Sequence, residues 1–174
     1  MDNLTQTLTR KETEVVEEGE QHVTFTIGGE TYGVEVLKVQ EIIGMTDITH
    51  VPNTLEFMRG VINLRGSVVP VVDMRAKFKM EGREYDSFTV IIIVEVKERL
   101  IGMIVDSVSD VISIPLSSIQ DTPHFSSRIE TDFISGIGQI GEKLVIILDV
   151  DRILSEEDFE VLENKENKLS NDKE

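Results

Sequence analysis

Apolar and polar positions alternate with a period of two over much of this chain, and that period predicts strands. Val23, Phe25 and Ile27 alternate with His22, Thr24 and Thr26. Gly28-Gly29 supplies a turn, and Tyr32 to Val36 returns as the partner strand. Val39, Ile42 and Ile43 fall at i, i+3 and i+4, the spacing of one face of a short helix that Gly44 can end. Ile48 to Val51 predicts a strand stopped by Pro52, with Asn53 or Thr54 capping a single helical turn through Phe57. Phe57 to Phe78 (FMRGVINLRGSVVPVVDMRAKF) predicts a hairpin about the turn Asn63-Leu64-Arg65-Gly66. Pro70 cannot donate to a ladder, so its strand is expected at an edge or a bulge. Phe88 to Val96 is the most apolar strand and the expected central one; Lys97-Glu98-Arg99 is a turn, and Leu100 to Val105 pairs back. Val111 to Ile114 precedes Pro115, residues 116–132 read as irregular, Gly136 to Asp149 as a hairpin, and Leu154 to Leu162 as an acidic helix anchored by Val161 and Leu162. Many short strands with close turns predict a mostly β protein built of small barrels.

The pattern repeats. Phe57–Phe78 aligns without a gap on Phe133–Leu154 (FISGIGQIGEKLVIILDVDRIL), Gly60 meeting Gly136 and Asp73 meeting Asp149, at an offset of 76 residues. Tyr32 to Ile43 resembles Ile101 to Ile112 at an offset of 69 residues. Two elements recurring in the same order imply two similar halves, at about 21–85 and 86–154. Halves of that size are marginal as independent cores. They are expected to share a hydrophobic seam and could exchange a strand.

Composition narrows the partners. The 174 residues carry 33 acids against 17 bases, a formal net charge of −16. Nucleic acid is a poor partner for such a chain, because that affinity rests on cations meeting phosphates. An anionic membrane surface would repel it for the same reason. No cysteine is present, which removes disulfides and thiolate chemistry. No apolar run approaches the ~20 residues of a membrane helix, so direct membrane insertion is not expected. Residues 1–20 and 163–174 read as polar tails around a domain at 21–162.

The candidate chemistry is thin. Gly136, Gly138 and Gly141 match the dinucleotide pattern GxGxxG, but a strand follows where the pyrophosphate needs a helix N-terminus. Asp149 and Asp151 could seed a metal or acid–base site, yet no nearby His completes a ligand set. Asp106 and Asp110 read as a solvated acidic face, and His22, His50 and His124 share no spacing. No serine or threonine has a recognisable elbow or base. The expectation is therefore no catalysis, no cofactor and no metal. Arg65 stands apart. The second copy keeps the frame but has Gly141 there, so the turn does not require Arg. A guanidinium at the tip of an apolar hairpin suits a forked contact with a partner carboxylate or carbonyl.

In these residues the chain resembles the CheW family of bacterial chemotaxis adaptors over roughly residues 21–163. The resemblance is carried by Phe25, Tyr32-Gly33-Val34, Val39-Gln40-Glu41-Ile42, Pro52-Asn53-Thr54, Phe57, Gly60, Asn63-Leu64-Arg65-Gly66, Pro70-Val71-Val72-Asp73, Gly102 and Val105-Asp106. It implies two five-stranded SH3-like β-barrels on a shared seam, with short helices and a C-terminal helix. It also implies a non-enzymatic, cytoplasmic scaffold joining the chemoreceptor cytoplasmic tip to the regulatory domain of the histidine kinase CheA, reaching the membrane only through those partners. Receptor contacts carried over are Val39, Glu41, Arg65, Gly66 and Val111, with Gly60 serving the hairpin geometry. The turn Lys97, Glu98 and Arg99 is the suggested kinase contact. The alternative is a coupling domain of the same kind serving a receptor–kinase system outside chemotaxis.

Overall fold

The structure, a computed structural model, describes residues 19–52, 54–121 and 133–162. Its strands in chain order are β1 (Gly19–Ile27), β2 (Glu30–Glu35), β3 (Val39–Gly44), β4 (Met58–Leu64), β5 (Ser67–Asp73), β6 (Val90–Val96), β7 (Arg99–Val105), β8 (Ser107–Pro115), β9 (Ile119–Gln120), β10 (Ile134–Ile140) and β11 (Lys143–Leu148). A single helical turn, α1 (Met74–Lys77), follows β5, and residues 156–162 are helical (α2). The fold is mostly β, as the alternation predicts.

The strands form two sheets, one in the order β3-β6-β7-β5-β4 and one in the order β8-β1-β2-β11-β10-β9. The second therefore has a sixth strand, the two-residue β9, beyond the expected five. The sheets do not divide near residue 85. The hairpin β6–β7 lies inside the first sheet, and β1–β2 lies inside the second. What is exchanged is a two-stranded hairpin, in both directions. The repeat holds to the residue: the parallel pair Val71–Gly102 has its counterpart in Ile147–Gly33. Likewise the antiparallel pair Val39–Val94 is matched by Phe25–Val108. Exchange lets two halves too small to stand alone build one core.

That core has three parts. Ile62, Val69, Val71, Ile91, Ile93 and Ile104 fill the first barrel, and Ile114, Val145 and Ile147 the second. The largest cluster joins Phe25, Tyr32 and Val34 of one sheet to Ile92, Val94 and Met103 of the other, which is the seam. Alternation along β6 sends Ile91 and Ile93 into the barrel and Ile92 and Val94 into the seam, so this strand is covered on both faces. A file of rings, Phe25, Tyr32, Phe78 and Phe133, runs across the seam with successive centroids 6.0, 5.3 and 5.0 Å apart.

Five local expectations are corrected, in whole or in part. Val39–Gly44 is a strand, not a helix, because three β-branched residues favour pairing with β6, and only Val36–Lys38 before it is helical (3₁₀). Of the strand expected at 48–51, one bridge forms, Thr49 with Val61. Residues 54–57 form no helix; the Met58 N–H closes a turn on the Leu55 carbonyl at 3.1 Å, and Asn53 lies outside the described residues. Pro70 is not on an edge strand, since β5 lies between β7 and β4, but its ladder with β4 does carry a bulge, where the register shifts between Met58 and Gly60. Its missing N–H is tolerated because Val61, its cross-strand neighbour, directs both backbone groups to Thr49, and the ladder with β7 begins only at Val71. At the C-terminal side the helix begins at 156 and is anchored by Phe159 and Leu162 rather than Val161 and Leu162. Ser155 and Asp158 cap it reciprocally, at 3.0 Å each way.

Candidate functional site

The β4–β5 connection has two residues, Arg65 and Gly66, between the paired Leu64 and Ser67. Both have positive φ, 51° and 92°, as in the primed turns that match the twist of a hairpin. The Gly66 N–H donates to Asn63 Oδ1 at 2.8 Å. In the second copy the position of Arg65 is taken by Gly141, φ 63°, which adopts this conformation freely. For an L residue the left-handed region costs about 1 kcal/mol or more. Arg65 thus occupies a backbone site where glycine would be more stable.

Its guanidinium does not wave free. Arg65 Nη2 donates to Glu41 Oε1 on β3, an ion pair that holds the Glu41 carboxyl below its ordinary range and the Arg65 guanidinium above its own. Strands β3 and β4 are the two edges of the five-stranded sheet, so this pair spans the opening of the barrel. Below it the Thr49–Val61 bridge, with N–H···O distances of 2.8 and 2.9 Å, completes the closure. Gly60 makes that bridge possible. Its φ is 149°, and a Cβ there would stand 2.1 Å from the Thr49 carbonyl oxygen. The Arg65 side chain remains 71% exposed, so most of its donor fork faces solvent.

The other receptor-contact candidates are distributed. Val39 and Glu41 lie on β3, half-buried, with Val39 packed on the seam cluster. Val111 lies on β8, the edge of the other sheet, and is 57% exposed. Its counterpart by the repeat is Ile42, which also points outward. Glu41, Arg65 and Gly66 therefore come together at one barrel mouth, whereas Val111 belongs to the second sheet. Lys97 and Glu98 form the β6–β7 turn, both at positive φ. Lys97 Nζ lies 5.0 Å from the ring centre of Phe159 and the Arg99 guanidinium 5.8 Å, so this turn braces α2.

Two polar staples cross the seam, and the sequence reading missed both. Arg75 on α1 grips Asp106 with two hydrogen bonds, Nε–Oδ1 at 2.9 Å and Nη2–Oδ2 at 2.8 Å. The Gly28 N–H adds a third at 2.9 Å. Asp106 is therefore no solvated acid. Burial works against its charge, yet Arg75 and the Gly28 N–H outweigh burial and hold the carboxyl below the usual aspartate range. The counterpart of Arg75 is Asp151, and this aspartate binds Lys38 at 2.9 Å. Only one half of the staple recurs with its sign reversed, because the counterpart of Asp106 is Leu37 and not Lys38. Asp149 accepts the Asp151 N–H as a cap, so both acids that suggested a metal or acid–base pair have structural partners. The GxGxxG glycines lie along β10 and its turn, a hairpin. His22 Nδ1 is 2.9 Å from the Glu20 carbonyl, Asp110 pairs with Thr24, and His124 lies outside the described residues. Among the described residues no cluster of three metal-ligating side chains forms, and no helix is long and apolar enough to cross a membrane.

Comparison with known proteins points one way. A family model described as a CheW-like domain matches residues 21–158. A chemotaxis protein CheW of Klebsiella aerogenes is 40% identical over 146 residues, covering 84% of this chain and 88% of the relative. One from Bacillus subtilis is 32% identical over 142 residues, covering 82% and 91%. The crystal structure of scaffolding protein TtCheW from Thermoanaerobacter tengcongensis superposes with a TM-score of 0.75 at 34% identity, covering 81% of this chain and 96% of that one.

Proposed function

The chain belongs to the CheW family, chemotaxis adaptors that couple receptors to the kinase CheA, and from that premise we propose which surfaces do the coupling. The protein acts by binding alone, without catalysis, in the cytoplasm beneath receptor arrays. The chemoreceptor cytoplasmic tip, a helical bundle, docks where the barrels meet, as a helix in a groove. Val39 and Val111 supply apolar contact, and Arg65, oriented by Glu41 and presented by Gly66, meets a carboxylate or carbonyl on the receptor. The regulatory domain of CheA takes a separate surface that includes Lys97, Glu98 and Arg99, a turn held firm against α2.

The observation that carries this reading is Arg65 itself. A cation is kept in a left-handed turn where the second copy has glycine, and its fork stays open to solvent. Stability alone does not favour such a residue.

Arg65→Ala should weaken binding of a receptor-tip fragment about tenfold or more in a calorimetric titration, the range of a central arginine contact. Its thermal midpoint should stay near that of the parent, because an exposed ion pair contributes little. Arg65→Gly should lose the same affinity while melting at or slightly above the parent, since the backbone cost is relieved. Unchanged affinity in both variants would remove Arg65 from the interface.

A further inference from the structure

We infer that Asn63 is a positioning residue for receptor binding, acting through Arg65; the inference rests on the receptor-contact reading above. Asn63 is exposed, and its side-chain Oδ1 accepts a hydrogen bond from the Gly66 N–H at 2.8 Å. That bond reaches across Leu64 and Arg65 and ties Gly66, the second residue of the turn, to the end of β4. A side-chain carbonyl three residues before the amide it accepts replaces a backbone turn bond, and it holds the intervening pair in one conformation. Arg65 needs this help because its own backbone preference opposes the left-handed region.

The second copy supports the assignment. Position 63 corresponds to Gln139, whose amide instead donates to the Gly141 carbonyl at 3.3 Å. There the turn residue is glycine, and no cation has to be aimed. Where Arg is replaced by Gly, the Asn is replaced too. Glu41 fixes the guanidinium end of Arg65, and Asn63 fixes the backbone end. A side chain with many rotamers is thereby restrained at both ends before the partner arrives, which lowers the ordering cost of binding.

The test is a double-mutant cycle on binding of a receptor-tip fragment by the full chain, with melting temperature and amide hydrogen exchange at Gly66 measured alongside. Asn63→Ala is expected to weaken binding about fivefold, the equivalent of one modest hydrogen bond. Its melting temperature should stay within about 2 °C of the parent, and exchange at Gly66 should accelerate. Asn63→Asp keeps the acceptor and should restore most of the affinity. In an Arg65→Ala background, Asn63→Ala should cost nothing further. If Arg65→Ala binds like the parent, the receptor-contact reading itself fails. If Arg65→Ala is weakened while Asn63→Ala binds normally, that reading stands and the positioning role is overturned. A loss from Asn63→Ala that persists in the Arg65→Ala background, or that Asp does not rescue, also overturns it.

Discussion

Gly60→Val is expected to cost about 4 kcal/mol or more of folding stability, enough to leave much of the protein unfolded. Any side chain at 60 begins with a Cβ placed 2.1 Å from the Thr49 carbonyl oxygen and 2.8 Å from its carbon. Both are backbone atoms and cannot rotate aside. Relief requires breaking the Thr49–Val61 bridge, which joins the chain after β3 to β4 and closes the first barrel. The φ of 149° adds strain for any L residue. Gly44 is the control, since a Cβ there meets nothing within 4 Å, and Gly44→Ala should change stability by about 0.5 kcal/mol or less. Urea unfolding followed by circular dichroism distinguishes the two. A Gly60→Val protein with the parent's midpoint would show that the barrel closes by some other route.

Asp106→Ala is expected to cost about 3 kcal/mol or more, because it leaves the Arg75 guanidinium inside the seam without its carboxylate. The side chains of Arg75 and Asp106 are only 18% and 13% exposed, so water compensates poorly. The pair also ties three places together: α1, the β7–β8 crossover and, through the Gly28 N–H, the β1–β2 turn. Asp106→Leu combined with Arg75→Met should recover a large part of the loss, since a matched apolar pair has no stranded charge. The pH dependence has a definite sign. The Asp106 carboxyl is lower in the folded than in the unfolded chain, so its contribution is complete above the unfolded aspartate value of about 3.9. It disappears as pH falls through the depressed folded value. Between neutral pH and strong acid the parent should therefore lose more stability than Asp106→Asn. Equal slopes of unfolding free energy against pH would contradict the staple's electrostatic role.

The sequence made the repeat legible because two gap-free alignments share landmarks of fixed chemistry, Gly60 with Gly136 and Asp73 with Asp149. In the structure both aspartates cap the turn that follows, and each takes a 2.8 Å bond from its own N–H to the carbonyl of the matched phenylalanine. What alignment did not reveal was which copy each hairpin joins. That is decided by a crossover between sheets, and the local pattern of Phe88 to Val96 reads alike in either sheet. Val39 to Ile43 misled because three apolar residues at helical spacing also satisfy a strand with a bulge, where the register shifts between Val39 and Glu41. The Arg65–Glu41 pair joins residues 24 apart at opposite sheet edges, so only closure of the barrel brings them together. The second staple was not readable from the aligned copies, because its lysine, Lys38, stands one residue away from the position that matches Asp106. Arg75 aligns with Asp151, an exchange of sign, but Asp106 aligns with the apolar Leu37.

The most direct test of the coupling role is the kinase activity of CheA measured with receptor-tip assemblies, with and without this protein. Addition of the parent is expected to bring receptor and kinase into one sedimenting complex and to make phosphorylation depend on receptor state. Arg65→Ala should fail to do so while still binding CheA alone. If parent and variant couple equally, the turn at Arg65 is not the receptor contact. If neither forms a ternary complex, the partners belong to a system other than chemotaxis.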